Sequence, residues 1–295
     1  MAGYYGTSLG VIDIDLAWTS DGWVMQNHAV RLIKPEPRPR HKSAQRREIE
    51  QLATKAHTAT LAHIRKPIAE TSVPIQNYFA TIRPDLGMQL LAQAMRDAVP
   101  QDLRDAPVLA AVSPFQFGGR NSLGHFIDIP AGQVTLRDAA AIFPFADTLC
   151  AVRRSGAQVK DWLERAAAHY NQISPDNNRQ ELLNPQSAGY HCDALYGLTY
   201  EIDLAQPARF DACGREVRPD ACRIRNIALN GRAVADDDMF IVAANSFRAS
   251  GGGGYAAIPN TDIVWTSQDK LREILIRSLQ QRAFISDVTE SIWRF

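Results

Sequence analysis

From Lys42 to Lys66 the chain runs for 25 residues without a proline or a glycine, shortly after "KPEPRPR", which sets three prolines in seven residues. Proline lacks a backbone donor and fixes φ, so the earlier stretch is a connector rather than a helix. The later one places Ile49, Leu52, Ala53, Ala56, Ala59 and Ile64 close to helical spacing and reads as one long amphipathic helix. Connector and helix together look like a bridge between a short first part and a long second one. The charged face of such a helix is ordinarily its solvent side, and it is assigned no chemical role.

Residues 1–33 hold two strand-like runs, "LGVIDIDL" and "WVMQNHAVRLI". The opening residues lack the basic and apolar blocks of a signal peptide and alternate like a strand, as in a chain entered in mid-fold. Beyond the bridge the pattern is mixed. "LGMQLLAQAMRDAV" and "GAQVKDWLERAAAHYNQI" are helical and "QDKLREILIRSLQQR" is a closing helix. "APVLAAVSPF", "TLCAVRRSG", "ALYGLTYEIDL", "CRIRNIALNG" and "MFIVAANSF" are strands, and "GQVTLRDAAAIFPF" is a strand followed by a short helix. Strands and helices interleave without strict alternation. The expected class is therefore α/β of the mixed α+β kind, a mixed sheet with packed helices and not a doubly wound parallel one.

Lys plus Arg and Asp plus Glu both number 32, so no overall field draws nucleic acid or an acidic membrane surface, and any anion must be caught locally. No run of about 18 apolar residues occurs. The seven histidines are scattered, none in a context that assembles a two-metal phosphoesterase centre, and no Gly-x-Ser-x-Gly elbow is present. Catalytic residues and metal ligands are thus expected to be absent from this chain. Cys213 and Cys222 bracket a polar segment carrying Gly214 and Pro219; they are either the ends of a hairpin within disulfide reach or two unrelated thiols.

Three local signals remain. "NSFRASGGGGY" joins Phe247 to Gly251, Gly252, Gly253 and Gly254 at the end of an apolar run, without the Lys and Ser or Thr of a P-loop. Those glycines serve either tight turning or close approach of a ligand to the backbone. "SPFQFGGRN" carries Gly118 and Gly119 into Arg120, whose rigid fork of donors suits a phosphate or carboxylate, or a structural carboxylate of the fold itself. "IFPFADTLCAV" sets Phe143 and Phe145 before a strand, where rings are either core or platform. Phe145 and Phe247 brought together would leave a slot for a nucleobase, since stacking needs only a flat π-face.

In order along the chain, "PVLAAVSPFQFGGR", "GQVTLRDAAAIFPFADTL", "GAQVKDWLERAAAHYNQI", "GLTYEIDLAQPARFD", "RIRNIALNGRAV" and "VAANSFRASGG" resemble the C-terminal domain of the 5'-nucleotidase family. Within it they are most similar to the bacterial periplasmic bifunctional 2',3'-cyclic-nucleotide 2'-phosphodiesterase/3'-nucleotidases. The resemblance implies a nucleoside- or nucleotide-binding domain joined in cis to an N-terminal metallophosphoesterase domain that carries two divalent metals. It implies that residues 1–33 end that first domain, 34–70 form the linker and interdomain helix, and 71–295 form the substrate-binding domain. By the same resemblance Phe145 and Phe247 sandwich the base and Arg120 points at the phosphate. Asp147 stands where relatives often carry asparagine, and Gly253 where some carry an acidic residue, leaving contacts there to backbone. Arg83 is a loose match to further phosphate-binding arginines. A periplasmic location, with no membrane or nucleic acid polymer as partner, is implied as well. The alternative is a stand-alone nucleoside-binding or interaction domain without hydrolase activity.

Overall fold

The computed structural model describes residues 7–34, 43–116, 125–286 and 289–295. Arg120, its neighbours Gly118 and Gly119, and nearly all of the proline-rich connector lie outside the described residues. The chain comprises two compact units, 1–60 and 61–295.

In the first unit β1 (Leu9–Thr19) and β2 (Gly22–Ile33) pair antiparallel as a hairpin turning at Gly22, whose φ is 112°. Opposed pairs such as Ile12 with Val30, Leu16 with Met25 and Trp18 with Trp23 put an apolar stripe on one face. That face is uncovered: Trp18 is 68% and Trp23 67% exposed. The expected long helix is present as α1 (Ala44–Ile64), with no fully buried residue.

The second unit is built on a five-stranded mixed sheet in the order β14 (Ile263–Lys270), β8 (Thr148–Ser155), β13 (Met239–Asn245), β5 (Val108–Val112) and β9 (Ala194–Tyr196). Only β13 and β5 run parallel; the other neighbours are antiparallel. The apolar runs "VLAAV" and "FIVAA" are buried, which is the composition expected of central strands covered on both faces. A second sheet contains β12 (Arg232–Ala233), β11 (Ile224–Leu229), β10 (Thr199–Ile202) and β16 (Trp293–Arg294). A third joins β15 (Phe284–Ile285), β3 (Pro67–Thr71) and β7 (Gly132–Thr135), and β4 (Ile75–Gln76) pairs with β6 (Asp128–Ile129).

Helix α2 (Leu86–Ala98), with Leu90, Leu91 and Met95 buried, packs against β5 and beside α6 (Leu271–Arg282). Short α3 (Leu136–Ile142) starts at a capping box between Thr135 and Asp138. Helix α4 (Gly156–Ala167) opens with a second box, the Ser155 N–H donating to Gln158 Oε1 at 2.9 Å and the Gln158 N–H to Ser155 Oγ at 3.3 Å.

Three elements differ from the sequence reading. The pattern "GAQVKDWLERAAAHYNQI" predicts a helix through Ile173, yet α4 ends at Ala167. Buried Arg223 donates to the Ala167 and Tyr170 carbonyls, both at 2.8 Å. That side chain takes over helix-end carbonyls that the next turn would otherwise satisfy. Buried Glu164 in turn accepts from the Arg223 and Ile224 N–H groups at 2.9 Å, fixing the start of β11 on the helix. "QDK" belongs to the end of β14 and not to the closing helix. "ALYGLTYEIDL" is two strands, because Gly197 breaks it at φ 105°.

Asp85 caps α2 through a 3.0 Å bond from the Met88 N–H, but its second oxygen is buried without a partner among the described residues. Burial raises its pKa to about 6, against the lowering effect of the Met88 and Gly87 N–H groups. The folded state therefore holds this proton more tightly than the unfolded chain, and stability falls as pH rises from about 4 to about 6. Asp85→Asn keeps the capping oxygen and removes the buried charge. It is expected to stabilise the protein at pH 7 by up to ~3 kcal/mol, with the gain vanishing near pH 4. A melting-temperature difference that stays constant from pH 4 to 7 would contradict this.

Candidate functional site

The sheet's hydrogen bonding decides which loops meet. Leu149 of β8 pairs with Asn245 of β13, so the loop entering β8 and the loop leaving β13 lie at the same end of the sheet. Strand β5 is parallel to β13 and runs out at that end toward Phe115. Strand β9 begins there too, Ala194 lying opposite Val112, which brings in residues 190–193. A bond from the Thr148 N–H to Ser246 Oγ at 3.2 Å ties two of these loops together.

Phe145 and Phe247 thus emerge from adjacent strand ends, 46% and 45% exposed. Phe145 stands on other rings, 5.2 Å from Phe115 and 6.0 Å from buried Phe143, both edge-on. Asp147 is half-buried beside them; burial raises its pKa, with Lys270 pulling the other way. Its carbonyl accepts from the Leu271 N–H at 2.8 Å, which fixes the loop to the start of α6.

Phe247 lies on the short helix α5 (Ser246–Ala249), capped by Asn245, whose Oδ1 accepts from the Arg248 N–H at 2.8 Å. The glycine run folds back against this ring. A Cβ added at Gly252 would come within 2.5–2.6 Å of three Phe247 ring atoms. Gly251, Gly253 and Gly254 have φ of 86°, 76° and 72°, a region that favours glycine. The tight-turn reading of "GGGG" fits these angles, and Gly252 also lets the chain fold back against the Phe247 ring.

Two arginines hold that backbone. Arg248 Nη1 donates to the Gly252 carbonyl. Arg165 donates to the Gly253 carbonyl at 2.7 Å and to the Gly254 carbonyl at 2.9 Å. Arg248 also makes a bidentate pair with buried Asp193, both bonds 2.7 Å, and donates to the Tyr190 carbonyl at 2.6 Å. Trp162 Nε1 donates to the same carboxylate at 2.8 Å, and the Tyr255 hydroxyl donates to the His191 carbonyl at 2.6 Å. Burial, with Arg165 and Arg248 alongside, lowers the His191 pKa to about 4, so its ring is neutral at pH 7. The sequence reading named neither arginine nor Asp193. Arg248 was visible only as the residue after Phe247, and the chain carries no local sign that residue 193 or 165 would meet it.

A cleft of about 730 Å³ beside the glycine run is lined by Trp162, Arg165, Phe210, Gly214 and Tyr255, and by neither of the two exposed phenylalanines. Among the described residues no cluster of three His, Cys, Asp or Glu side chains could hold a metal ion, and no helix is long and apolar enough to cross a membrane. Cys213 and Cys222 are free thiols.

Residues 67–260 match the family model described as 5'-nucleotidase, C-terminal domain, and the chain belongs to that family. Within it the chain is related to the 2',3'-cyclic-nucleotide 2'-phosphodiesterase/3'-nucleotidases. The protein of that name from Salmonella typhimurium is 34% identical over 291 residues, covering 93% of this chain and 44% of that protein. A trifunctional nucleotide phosphoesterase protein of Bacillus subtilis is 29% identical over 301 residues, covering 99% of this chain and 20% of that protein. The chain therefore spans less than half the length of these relatives. Among solved structures, a candidate 5'-nucleotidase from Staphylococcus aureus superposes with a TM-score of 0.65 at 17% identity, covering 97% of this chain and 50% of that one. That likeness shows the fold.

Proposed function

We propose that the 61–295 unit binds and orients the nucleoside part of a nucleotide for a metal-dependent 2',3'-cyclic-nucleotide 2'-phosphodiesterase/3'-nucleotidase. The observation that carries this reading is the pair of half-exposed rings, Phe145 and Phe247, at neighbouring strand ends, the second backed by a glycine whose side chain would displace it. A base stacked between them gains about 1–3 kcal/mol per aromatic contact. Asp147, when ionised, offers only acceptors and favours a base edge that presents donors. Arg120, from the family resemblance, neutralises phosphate charge, and Gly251, Gly252 and Gly253 leave backbone for base contacts. Holding base and phosphate in fixed relation lowers the entropic part of the barrier.

The donors described here do not fit a metal, and no step within this chain runs through one. Two divalent metals, which polarise phosphoryl oxygens and activate water when bound, belong in this reading to an N-terminal metallophosphoesterase domain in cis. Residues 1–33 would complete that domain, 34–70 would link the two, and 71–295 would bind substrate. The uncovered apolar face of the β1–β2 hairpin supports such a neighbour, since two-stranded ribbons with one apolar face need a packing partner. A periplasmic location rests on the resemblance to the bacterial enzymes alone.

Calorimetric titration of the 295-residue chain with adenosine or 3'-AMP is expected to show weak binding, and Phe247→Ala to abolish the heat. Unchanged binding by that variant would refute the base platform. The chain alone is expected to leave bis(p-nitrophenyl) phosphate intact with manganese or cobalt added. Steady turnover would show that it carries its own reactive centre.

A further inference from the structure

Tyr190 is an exposed aromatic side chain on an unusually well-tethered backbone. The ring is 43% accessible to solvent. Its carbonyl accepts from Arg248 at 2.6 Å, the next carbonyl accepts from Tyr255 at 2.6 Å, and Asp193, three residues on, is held by both arms of Arg248. The Arg248 side chain that binds the Tyr190 carbonyl also binds the Gly252 carbonyl beneath Phe247. The two exposed rings, Tyr190 and Phe247, are thus placed by the same guanidinium. Their centroids are 6.4 Å apart and their planes cross at 72°. They form a corner, one ring a floor and the other a wall.

We infer that Tyr190 is that wall: it meets the edge of a nucleoside stacked on Phe247 and determines specificity there. The inference rests on the reading of Phe247 as the base platform. Holding the Tyr190 and His191 carbonyls and the Asp193 carboxylate leaves little freedom in where the ring stands, so its exposure is built in by the fold. The ring also packs edge-on against His191, 4.6 Å away. The phenol oxygen makes no hydrogen bond among the described residues and is left to donate to, or accept from, a base edge or a ribose hydroxyl. The class of ligand is one with a flat heteroaromatic ring for Phe247 and a polar rim for Tyr190, which a nucleoside supplies and a bare phosphate ester does not.

The test is calorimetry of the 295-residue chain with adenosine, comparing wild type, Tyr190→Ala, Tyr190→Phe and Phe247→Ala, each with its melting temperature. Tyr190→Ala is expected to weaken adenosine binding by about tenfold with little change in melting temperature, because the ring is 43% exposed. Tyr190→Phe is expected to fall between the two and so to separate ring from hydroxyl. Should the alanine variant melt early, Tyr190→Leu, which keeps the bulk, takes its place. Binding within twofold of wild type in Tyr190→Ala, with the heat abolished in Phe247→Ala, overturns the wall and leaves the platform standing. Full binding in Phe247→Ala overturns the platform itself, and the wall with it.

Discussion

Asp193→Ala is expected to destabilise the protein by about 3–5 kcal/mol, the cost of leaving a buried charge without its partner. Arg248 and Asp193 are both buried and joined by two 2.7 Å bonds. Removing the carboxylate strands the guanidinium and also deprives Trp162 Nε1 of its acceptor. In a unit of this size the loss corresponds to a fall in melting temperature of roughly 6–20 °C. Replacing both partners, Asp193→Leu with Arg248→Met, removes the buried charges together and should recover part of the stability. It should not recover nucleoside binding, because the Gly252 and Tyr190 carbonyls then lose their donor. Thermal melts and adenosine titrations on the single and double variants check both halves. A single variant melting within about 2 °C of wild type would show that the pair is not what organises this end of the sheet.

That separation between stability and binding reflects how the site is built. Phe247, its glycine backing and Tyr190 are all surface features, yet each is set by groups beneath it. Arg248 reaches two of the three directly, and Arg165 holds the rest of the glycine run from α4. The strand ends bring the loops together, and the two arginines fix the loops' shape.

The parts of this that were legible in the sequence are the ones with local causes. Strands β5 and β13 announce themselves as continuous apolar runs, and α4 by its amphipathic spacing. Phe145 and Phe247 drew notice because each is a ring beside turn residues at a strand end. Strand β14 did not, since its second half, "TSQDK", is polar and its pairing with β8 shifts register twice. The end of α4 was hidden because the residue that satisfies its carbonyls, Arg223, lies more than 50 positions further on. The Arg248 and Asp193 pair is equally distant in sequence. In the glycine run the sequence posed turn against close approach of a ligand; the fold has Gly251, Gly253 and Gly254 turning with positive φ and Gly252 lying against the Phe247 ring.

Gly252 is where the two roles separate. Its neighbours Gly251, Gly253 and Gly254 all have positive φ, so any side chain there strains the backbone and confuses the outcome. Gly252 does not have a positive φ, and the atoms nearest to where an alanine Cβ would stand all belong to the Phe247 ring, 2.5–2.6 Å away. Gly252→Ala therefore moves the ring and little else. It is expected to weaken adenosine binding about 10- to 100-fold, the range spanned by the loss of one base–aromatic stack, with a shift in stability near 1 kcal/mol. Added to Phe247→Ala, the same substitution should cost nothing further, because the atom it collides with is gone. That non-additivity is the decisive reading, since two independent sites would add. A Gly252→Ala variant that binds like wild type, or one whose stability shift persists undiminished in the Phe247→Ala background, would mean that the ring's position does not govern the ligand.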